Sequence, residues 1–159
     1  MNAAVLTISD TRTEDDDASG DLLVGLLTEF GADVIAKSIV SDDIDDIRDE
    51  LLELTESAEI NLIITTGGTG FGPRDNTPEA TLAVITREAP GIAEAMRRDS
   101  AKHTPMAMLS RGVCGIRGKT LIVNLPGSPK GVNECFNVMY PVLRHAVQLI
   151  SGETNHDEE

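Results

Sequence analysis

The sequence contains no tryptophan, and its other aromatic residues are only three phenylalanines and one tyrosine among 159 residues. A hydrophobic core must therefore be built from aliphatic side chains. Hydrophobic residues make up 40% of the chain, and about 100–200 residues is the usual size of one domain. We predict one domain over residues 1–152, followed by an acidic tail, residues 153–159, that we expect to be disordered.

Long apolar runs and metal-binding patterns are missing too. No run of about 18 apolar residues is present, so we expect no transmembrane helix and no membrane partner. The first residues, MNAAVLTIS, show no secretory pattern. Cys114 and Cys135 fit no zinc or redox spacing and are expected to be reduced and buried. The three histidines lack ligand partners at a usable spacing, so zinc is not expected. We predict a cytoplasmic location.

Positive charge is scarce, and its distribution is uneven. The net charge of −14 argues against nucleic-acid binding, which needs a basic surface. Residues 1–73 carry a net charge of −14, residues 74–130 a net charge of +4, and residues 131–159 a net charge of −4. A small anionic ligand is therefore compatible with the middle of the chain. Only four of the 13 basic residues are lysines, a pattern that suits solubility at high salt.

Strand and helix patterns alternate along the chain. Short apolar runs predict strands, and they cover Ala3–Ser9, Val34–Val40, Asn61–Thr66, Val113–Ile116 and Thr120–Leu125. Helical spacing predicts helices between them, over residues 22–30, 44–54, 77 onward, 90–102 and 128 onward. Gly31 should end the first helix, Thr77 should cap the third, and Pro141 should kink or restart the last.

This order of elements predicts an α/β fold, a three-layer α/β/α sandwich with a mostly parallel sheet. Asn61–Thr66 is apolar on both faces and is predicted to be a central strand. Ligands of such sheets bind beyond the carboxyl ends of the strands. Three polar loops leave those ends, and they contain Ser9-Asp10, Thr65–Asp75 and Asn124–Lys130.

The second loop, TTGGTGFGPRDNTPEA, is rich in glycine and follows the predicted central strand. Glycines let the backbone adopt positive φ and let amide groups approach a phosphate. The run is not a Walker A loop, because Pro73-Arg74 replaces its Lys-Ser/Thr, and its spacing does not fit the dinucleotide fingerprint. We predict an anion site formed by the run Gly67-Gly68-Thr69-Gly70-Phe71-Gly72.

Charged residues near these loops have two interpretations each. Asp75 either braces the loop or binds Mg²⁺ together with substrate phosphates. Asp42 is either a helix N-cap or a second metal ligand. Arg74 binds a phosphate or pairs with nearby acids. Lys130 opposes the dipole of the helix that Ser128 caps, so it is either held there by a bound anion or is a surface lysine.

Seven segments together resemble the MoaB/Mog family of molybdenum cofactor biosynthesis. They are ISD at 8–10, SDD at 41–43, TTGGTG at 65–70, GPRDNTPEA at 72–80, PGIAEAMR at 90–97, LSRG at 109–112 and NLPGSPKG at 124–131. The resemblance implies a molybdopterin-binding fold. It also implies a molybdopterin adenylyltransferase, which uses Mg-ATP to attach AMP to the terminal phosphate of molybdopterin and releases pyrophosphate.

The resemblance also implies roles for individual residues. Asp42 and Asp75 fall on the two essential aspartates, which would hold Mg²⁺. The implied substrate and phosphate contacts are Ser9, Asp10, Thr66, Gly67, Gly68, Thr69, Gly70, Arg74, Ser110, Pro126, Gly127, Ser128 and Lys130. The family suggests a homotrimer or a dimer of trimers, and it also suggests contacts with other enzymes of the pathway.

Two alternatives remain open on the sequence alone. A non-catalytic molybdopterin-binding or scaffold protein would bind the pterin without consuming ATP. A nucleotide-processing enzyme of the competence-damage type shares the fold and parts of the glycine loop, but the GPRDNTPEA and NLPGSPKG pair argues against it.

Overall fold

Strands and helices alternate in the computed structural model, which describes residues 1–153. The strands are β1 (Asn2–Ile8), β2 (Asp33–Val40), β3 (Leu62–Thr66), β4 (Arg87–Glu88), β5 (Cys114–Arg117) and β6 (Thr120–Leu125). The helices are α1 (Ala18–Phe30), α2 (Ile44–Glu56), α3 (Thr77–Val84), α4 (Pro90–Ser100) and α5 (Pro129–Ser151), and a 3₁₀ helix covers Pro105–Leu109. The short strand β4 and the 3₁₀ helix were not expected from the sequence.

The six strands form one mixed sheet in the order β2-β1-β3-β6-β5-β4. The first four strands of that order pair in parallel, and β5 and β4 add an antiparallel edge. All five residues of β3 are buried, because β3 has parallel neighbours on both sides and helices on both faces. The predictions of a mostly parallel sheet and of a central third strand are confirmed.

Alternating side chains of the strands build two hydrophobic cores, one on each face of the sheet. Ala3 and Val5 of β1 face the core that α1, α4 and α5 cover. Ala4 and Leu6 face the core that α2 and α3 cover. This gives the predicted three layers, and the cores contain mainly aliphatic side chains, as the shortage of aromatics requires.

Helix ends follow the predicted signals at some positions and depart from them at others. Gly31 ends α1 at a φ of 89° and Ser128 caps α5, as expected. Asn76, not Thr77, occupies the N-cap position of α3, because the buried Thr77 hydroxyl donates to the carbonyl of Gly67 instead. Helix α5 does not restart at Pro141 but continues to Ser151.

Three further predictions concern the surface and the thiols. Both cysteines are free and buried, and burial raises the pKa of Cys114 to about 12. Within residues 1–153, no helix has both the length and the hydropathy needed to cross a bilayer. The acidic tail was predicted to be disordered over residues 153–159, and residues 154–159 of it lie outside the described part of the chain.

Candidate functional site

The three polar loops predicted to converge do meet, because β1, β3 and β6 are neighbours in the sheet. The backbone amide of Gly67 donates to the carbonyl of Leu125 at 3.2 Å. The Thr66 hydroxyl donates to the carbonyl of Pro126 at 2.7 Å. The glycine loop after β3 is thereby fixed to the Pro126-Gly127 corner after β6.

The glycines of this loop have two different functions. Gly67 and Gly68 have φ values of 103° and 66°, and a Cβ on Gly67 would lie 2.4 Å from the Ile8 carbonyl oxygen. The loop can cross the end of β1 only because Gly67 has no side chain. Gly70 and Gly72 leave space for the carboxylate of Asp75, since a Cβ on either would lie 2.9 Å from Asp75 Oδ2.

Asp75 folds back under the glycine loop. Its Oδ2 accepts the backbone N–H of Gly72 at 2.9 Å. Asp75 therefore braces the glycine loop, which was one of its two interpretations from the sequence. The second carboxylate oxygen, Oδ1, accepts no hydrogen bond from residues 1–153, so bracing leaves it available to a cation.

Arg111 holds the glycine loop through its side chain and its backbone, although no function was expected of it from the sequence. Its Nε donates to the carbonyl of Gly70 at 2.8 Å and its Nη2 donates to the carbonyl of Asp75 at 2.7 Å. Its backbone N–H donates to the carbonyl of Thr69 at 2.8 Å. Nη1 pairs with Glu79, and this hydrogen bond lowers the pKa of Glu79. The LSRG segment was the available sequence signal.

Asp10 and Asp42 bind each other's backbone. The N–H of Asp10 donates to Asp42 Oδ2 at 2.9 Å, and the N–H of Asp42 donates to Asp10 Oδ1 at 3.0 Å. Asp42 is therefore not the N-cap of α2; Asp43 occupies that position, without a side-chain capping bond. The amide of Asn76 also donates to the carbonyl of Asp42 at 2.9 Å, which connects the loop after β2 to the loop after β3.

Arg74 lies among carboxylates. It donates to both oxygens of Asp10, at 3.0 and 2.8 Å, and to Asp43 Oδ1 at 2.6 Å. These hydrogen bonds lower the pKa of Asp10 and raise the pKa of Arg74. A phosphate would have to compete with two carboxylates for this guanidinium. Of the two interpretations of Arg74, pairing with nearby acids is the one that the structure contains.

The environment of Asp42 favours a cation. Burial raises the pKa of Asp42, and the charges of Asp10 and Asp75 add to the increase, against the lowering effects of the Asp10 amide and Arg74. A Cβ on Gly68 would lie 3.4 Å from Asp42 Oδ1, so the carboxylate lies beside the glycine loop. In residues 1–153 no cluster of three or more His, Cys, Asp or Glu side chains could hold a metal. Two carboxylates suit Mg²⁺, which usually completes its shell with water and substrate phosphates.

Two cavities lie beside these loops. A cavity of about 290 Å³ lies at the ends of β1 and β3, where the strand order reverses, and its lining includes Ser9, Gly67, Gly127 and Ser128. A second cavity of about 370 Å³ lies between α4, the 3₁₀ helix and α5. Its lining includes four of the predicted contact residues: Ser110, Pro126, Ser128 and Lys130. The Asp10, Asp42, Arg74 and Asp75 cluster lines neither cavity.

Two basic residues border the cavities, and Lys130 fits its surface-lysine interpretation. Lys130 has a side chain that is 83% exposed and lies 4.0 Å from Glu134. Arg12 was not expected at the site, yet it lines the smaller cavity and donates to the Ser19 hydroxyl at 3.0 Å and to the Gly127 carbonyl at 3.2 Å. Its position as one of three basic residues in the first 73 was a weak signal for it.

Comparison with known proteins agrees with the resemblance that the sequence motifs show. A family model described as a probable molybdopterin binding domain matches residues 4–145. A Helicobacter pylori J99 protein named molybdopterin adenylyltransferase is 39% identical over 156 residues, which cover 96% of this chain and 89% of that protein. The molybdenum cofactor synthesis protein cinnamon of Drosophila melanogaster is 46% identical over 154 residues, which cover 95% of this chain but only 26% of that protein.

A solved structure shows the same fold. The crystal structure of the molybdopterin biosynthesis enzyme MoaB from Thermus thermophilus matches with a TM-score of 0.88 and 44% identity. The match covers 95% of this chain and 96% of that chain. The α/β/α architecture described above is therefore that of the MoaB and Mog structures.

Proposed function

Because the chain belongs to the molybdopterin-binding domain family and has a role in molybdenum cofactor biosynthesis, we propose that it is a molybdopterin adenylyltransferase. It transfers AMP from Mg-ATP to the terminal phosphate of molybdopterin. The observation that carries this proposal is the meeting of two carboxylates, Asp42 and Asp75, from different loops beside one glycine loop. Relatives that carry this enzyme name support it.

The reaction needs charge neutralisation more than acid–base catalysis. An oxygen of the pterin phosphate forms a bond to the α-phosphorus of ATP, the bond from the α-phosphorus to the bridging oxygen breaks, and pyrophosphate leaves. The attacking oxygen is already anionic, so no general base is required. The work of the protein is to align two anionic groups and to offset their charge.

The residues of the chain divide this work. Asp42 and Asp75 would hold Mg²⁺, which neutralises phosphate charge when it is bound. Asp10 and Arg74 position Asp42 through the reciprocal hydrogen bonds and the ion pair described above. Arg111 positions the glycine loop, whose amides approach the phosphate. Ser9, Thr66, Ser110, Ser128 and Lys130 are proposed to contact the substrates.

The assay for this proposal measures pyrophosphate released from ATP with and without molybdopterin. We expect release that depends on both molybdopterin and Mg²⁺. Asp75→Asn should lower the rate by about 10²–10³-fold, the typical effect of losing a preorganised charge partner. The loop should keep its shape in this variant, because the amide oxygen can still accept the Gly72 N–H. Asp15→Asn, an exposed acid in the loop before α1, is the matched control and should retain the wild-type rate.

Two other results would change the assignment. Molybdopterin binding without pyrophosphate release would support the non-catalytic binding protein. Pyrophosphate release that ignores molybdopterin would support a nucleotide-processing enzyme. We also propose that the chain forms a trimer or a dimer of trimers, which light scattering measures directly.

A further inference from the structure

A buried serine and an arginine hold one peptide bond at the edge of the site. The hydroxyl of Ser19, in the first turn of α1, donates to the carbonyl of Gly127 at 2.6 Å. Arg12 donates to the same carbonyl from Nη2 at 3.2 Å, and to the Ser19 hydroxyl from Nη1 at 3.0 Å. The Gly127 carbonyl is therefore fixed by two donors that also bond to each other, as a hydroxyl can accept one hydrogen bond while it donates another.

The fully buried carboxylate of Asp17 anchors the start of α1, where Ser19 lies. Asp17 accepts the backbone N–H of Gly20 at 3.1 Å and the hydroxyl of Thr7, from β1, at 2.7 Å. Its Oδ2 also lies 3.2 Å from Nζ of Lys37, from β2, so the buried charge has a partner. Because these contacts tie α1 to two strands of the sheet, Ser19 keeps a fixed position relative to the strand ends.

Fixing the Gly127 carbonyl also fixes the amide on the other side of the same peptide bond. A peptide bond is planar and trans, so the N–H of Ser128 points away from the Gly127 carbonyl and from its two donors. This N–H has no backbone acceptor within residues 1–153, and Ser128 lines both cavities. An N–H group that is held in one direction beside the site is a preorganised dipole for a phosphate oxygen.

We propose that Arg12 and Ser19 are positioning residues for AMP transfer, because they hold the Gly127–Ser128 peptide so that its N–H stabilises the charge that moves during the reaction. This inference rests on the proposed function, which supplies the reaction. Ser19 is 0% exposed and lines neither cavity, so it cannot touch a substrate. Any effect of Ser19 on the reaction must therefore act through the residues that it holds.

Steady-state kinetics of Ser19→Ala tests the proposal, since this variant removes one donor to the Gly127 carbonyl without removing a substrate contact. The kcat for AMP transfer should fall by about 10- to 100-fold, the effect expected when a group at a reacting centre is misplaced by about 1 Å. The loss should appear in kcat and not in KM, because a held dipole acts mainly where charge develops in the transition state.

Thr120→Val is the matched control for the loss of a buried hydroxyl. The Thr120 hydroxyl donates to the carbonyl of Ile60 at 2.8 Å. Thr120 begins β6, whereas the site follows the other end of that strand. Thr120→Val should therefore lose a similar amount of stability and retain the wild-type kcat. Melting temperatures of both variants establish that both fold.

Variants of Arg12 test the other donor. Arg12→Met should lower kcat, and Arg12→Lys should recover only part of the loss, because an ammonium group cannot reproduce the planar fork that reaches two oxygens. The double variant Arg12→Met/Ser19→Ala should lose less than the product of the two single effects, since both residues act on one carbonyl. Arg48→Met is the control, because Arg48 pairs with Asp45 and Asp49 on α2 and lines neither cavity.

Amide NMR spectra of isotope-labelled protein measure the held peptide without any reaction. Ser19→Ala should shift or broaden the amide resonances of Gly127 and Ser128, and Thr120→Val should leave both unchanged. Three outcomes would overturn the inference: unchanged resonances in Ser19→Ala, a kcat of Ser19→Ala equal to that of Thr120→Val, or a loss confined to KM.

The inference and the proposed function fail in different ways. AMP transfer by the wild type that Ser19→Ala leaves unchanged refutes only the positioning role. A wild-type chain that transfers no AMP refutes the proposed function, and with it any role of these residues in transfer. The NMR spectra then still decide whether Arg12 and Ser19 hold the Gly127–Ser128 peptide.

Discussion

Replacing Arg111 by methionine should destabilise the protein measurably, because this one side chain supports the glycine loop at three points. Its guanidinium donates to the carbonyls of Gly70 and Asp75 and pairs with Glu79. Methionine keeps much of the aliphatic length and removes all the donors.

The magnitude can be worked from these contacts. The Arg111 side chain is 34% exposed and that of Glu79 is 45% exposed, so we count the ion pair at no more than about 0.2–1 kcal/mol. Each hydrogen bond from the cation to a carbonyl contributes about 1 kcal/mol after the same discount for exposure. The sum is a loss of about 2–3 kcal/mol in the free energy of unfolding. For a chain of this size, that corresponds to about 4–12 °C in melting temperature.

Urea unfolding and calorimetry of Arg111→Met would measure this loss, and two further variants locate its source. Glu79→Gln should lose no more than about 1 kcal/mol, because the two carbonyl contacts remain. Arg98→Met, on an exposed position of α4, should change the stability by less than about 0.5 kcal/mol. If Arg111→Met were as stable as Arg98→Met, Arg111 would not support the loop, and the reasoning would be refuted.

Three other predictions concern single residues of the site. Hydrogen bonds from Arg74 lower the pKa of Asp10 below 3.8, so ionised Asp10 stabilises the fold above that pH and the contribution is lost as the pH falls through the lowered pKa. Asp10→Asn should therefore lose less stability between about pH 6 and pH 2 than the wild type in urea unfolding, and an identical pH profile would contradict this. Gly67→Ala should lower the free energy of unfolding by about 2 kcal/mol or more, because of its positive φ and the clash with the end of β1. Gly25→Ala, with open space in α1, should raise it by about 0.5–1 kcal/mol. Equal effects of the two substitutions would refute the loop geometry. Asp42→Asn should raise the melting temperature of the metal-free protein, because it removes a charge that burial disfavours and that Asp10 and Asp75 repel. Millimolar Mg²⁺ should stabilise only the wild type, and stabilisation of both would exclude Asp42 as a ligand.

Much of the fold was predictable because its signals are local. The run Asn61–Thr66 is apolar on both faces, and this alone marks a strand between parallel neighbours. Gly31 and Ser128 end and begin helices through contacts with residues within one turn. Local signals of this kind need no knowledge of the rest of the chain.

The errors came from contacts between residues distant in sequence. Asp17 ends the acidic run Glu14–Asp17, a pattern typical of solvated surface, yet it is fully buried, caps α1 and pairs with Lys37 at 3.2 Å. Arg12 and Arg111 bind backbone carbonyls 115 and 41 residues away. No residue pattern reveals which carbonyls a fold leaves available, so the contacts of these two cations could be found only in three dimensions.

The position of the candidate site was predictable, whereas the hydrogen bonds and ion pairs between its residues were less so. The convergence of the loops followed from their position at the carboxyl ends of the predicted strands, and the proximity of Asp42 and Asp75 followed from the family resemblance. Two features could not be predicted: the reciprocal hydrogen bonds of Asp10 and Asp42, and the pairing of Arg74 with two carboxylates. Each residue type alone allowed both a structural and a ligand-binding function.

The central claim is that Asp42 and Asp75 support the transfer of AMP to molybdopterin. Incubation of the purified chain with molybdopterin, Mg²⁺ and ATP labelled at the α-phosphate tests it most directly, with the labelled pterin product separated and counted. We expect labelled product from the wild type in equal amount to pyrophosphate, and a rate lower by about 10²–10³ in Asp42→Asn and Asp75→Asn. Wild-type protein that binds molybdopterin yet forms no labelled product, or variants that form it at the wild-type rate, would contradict this claim.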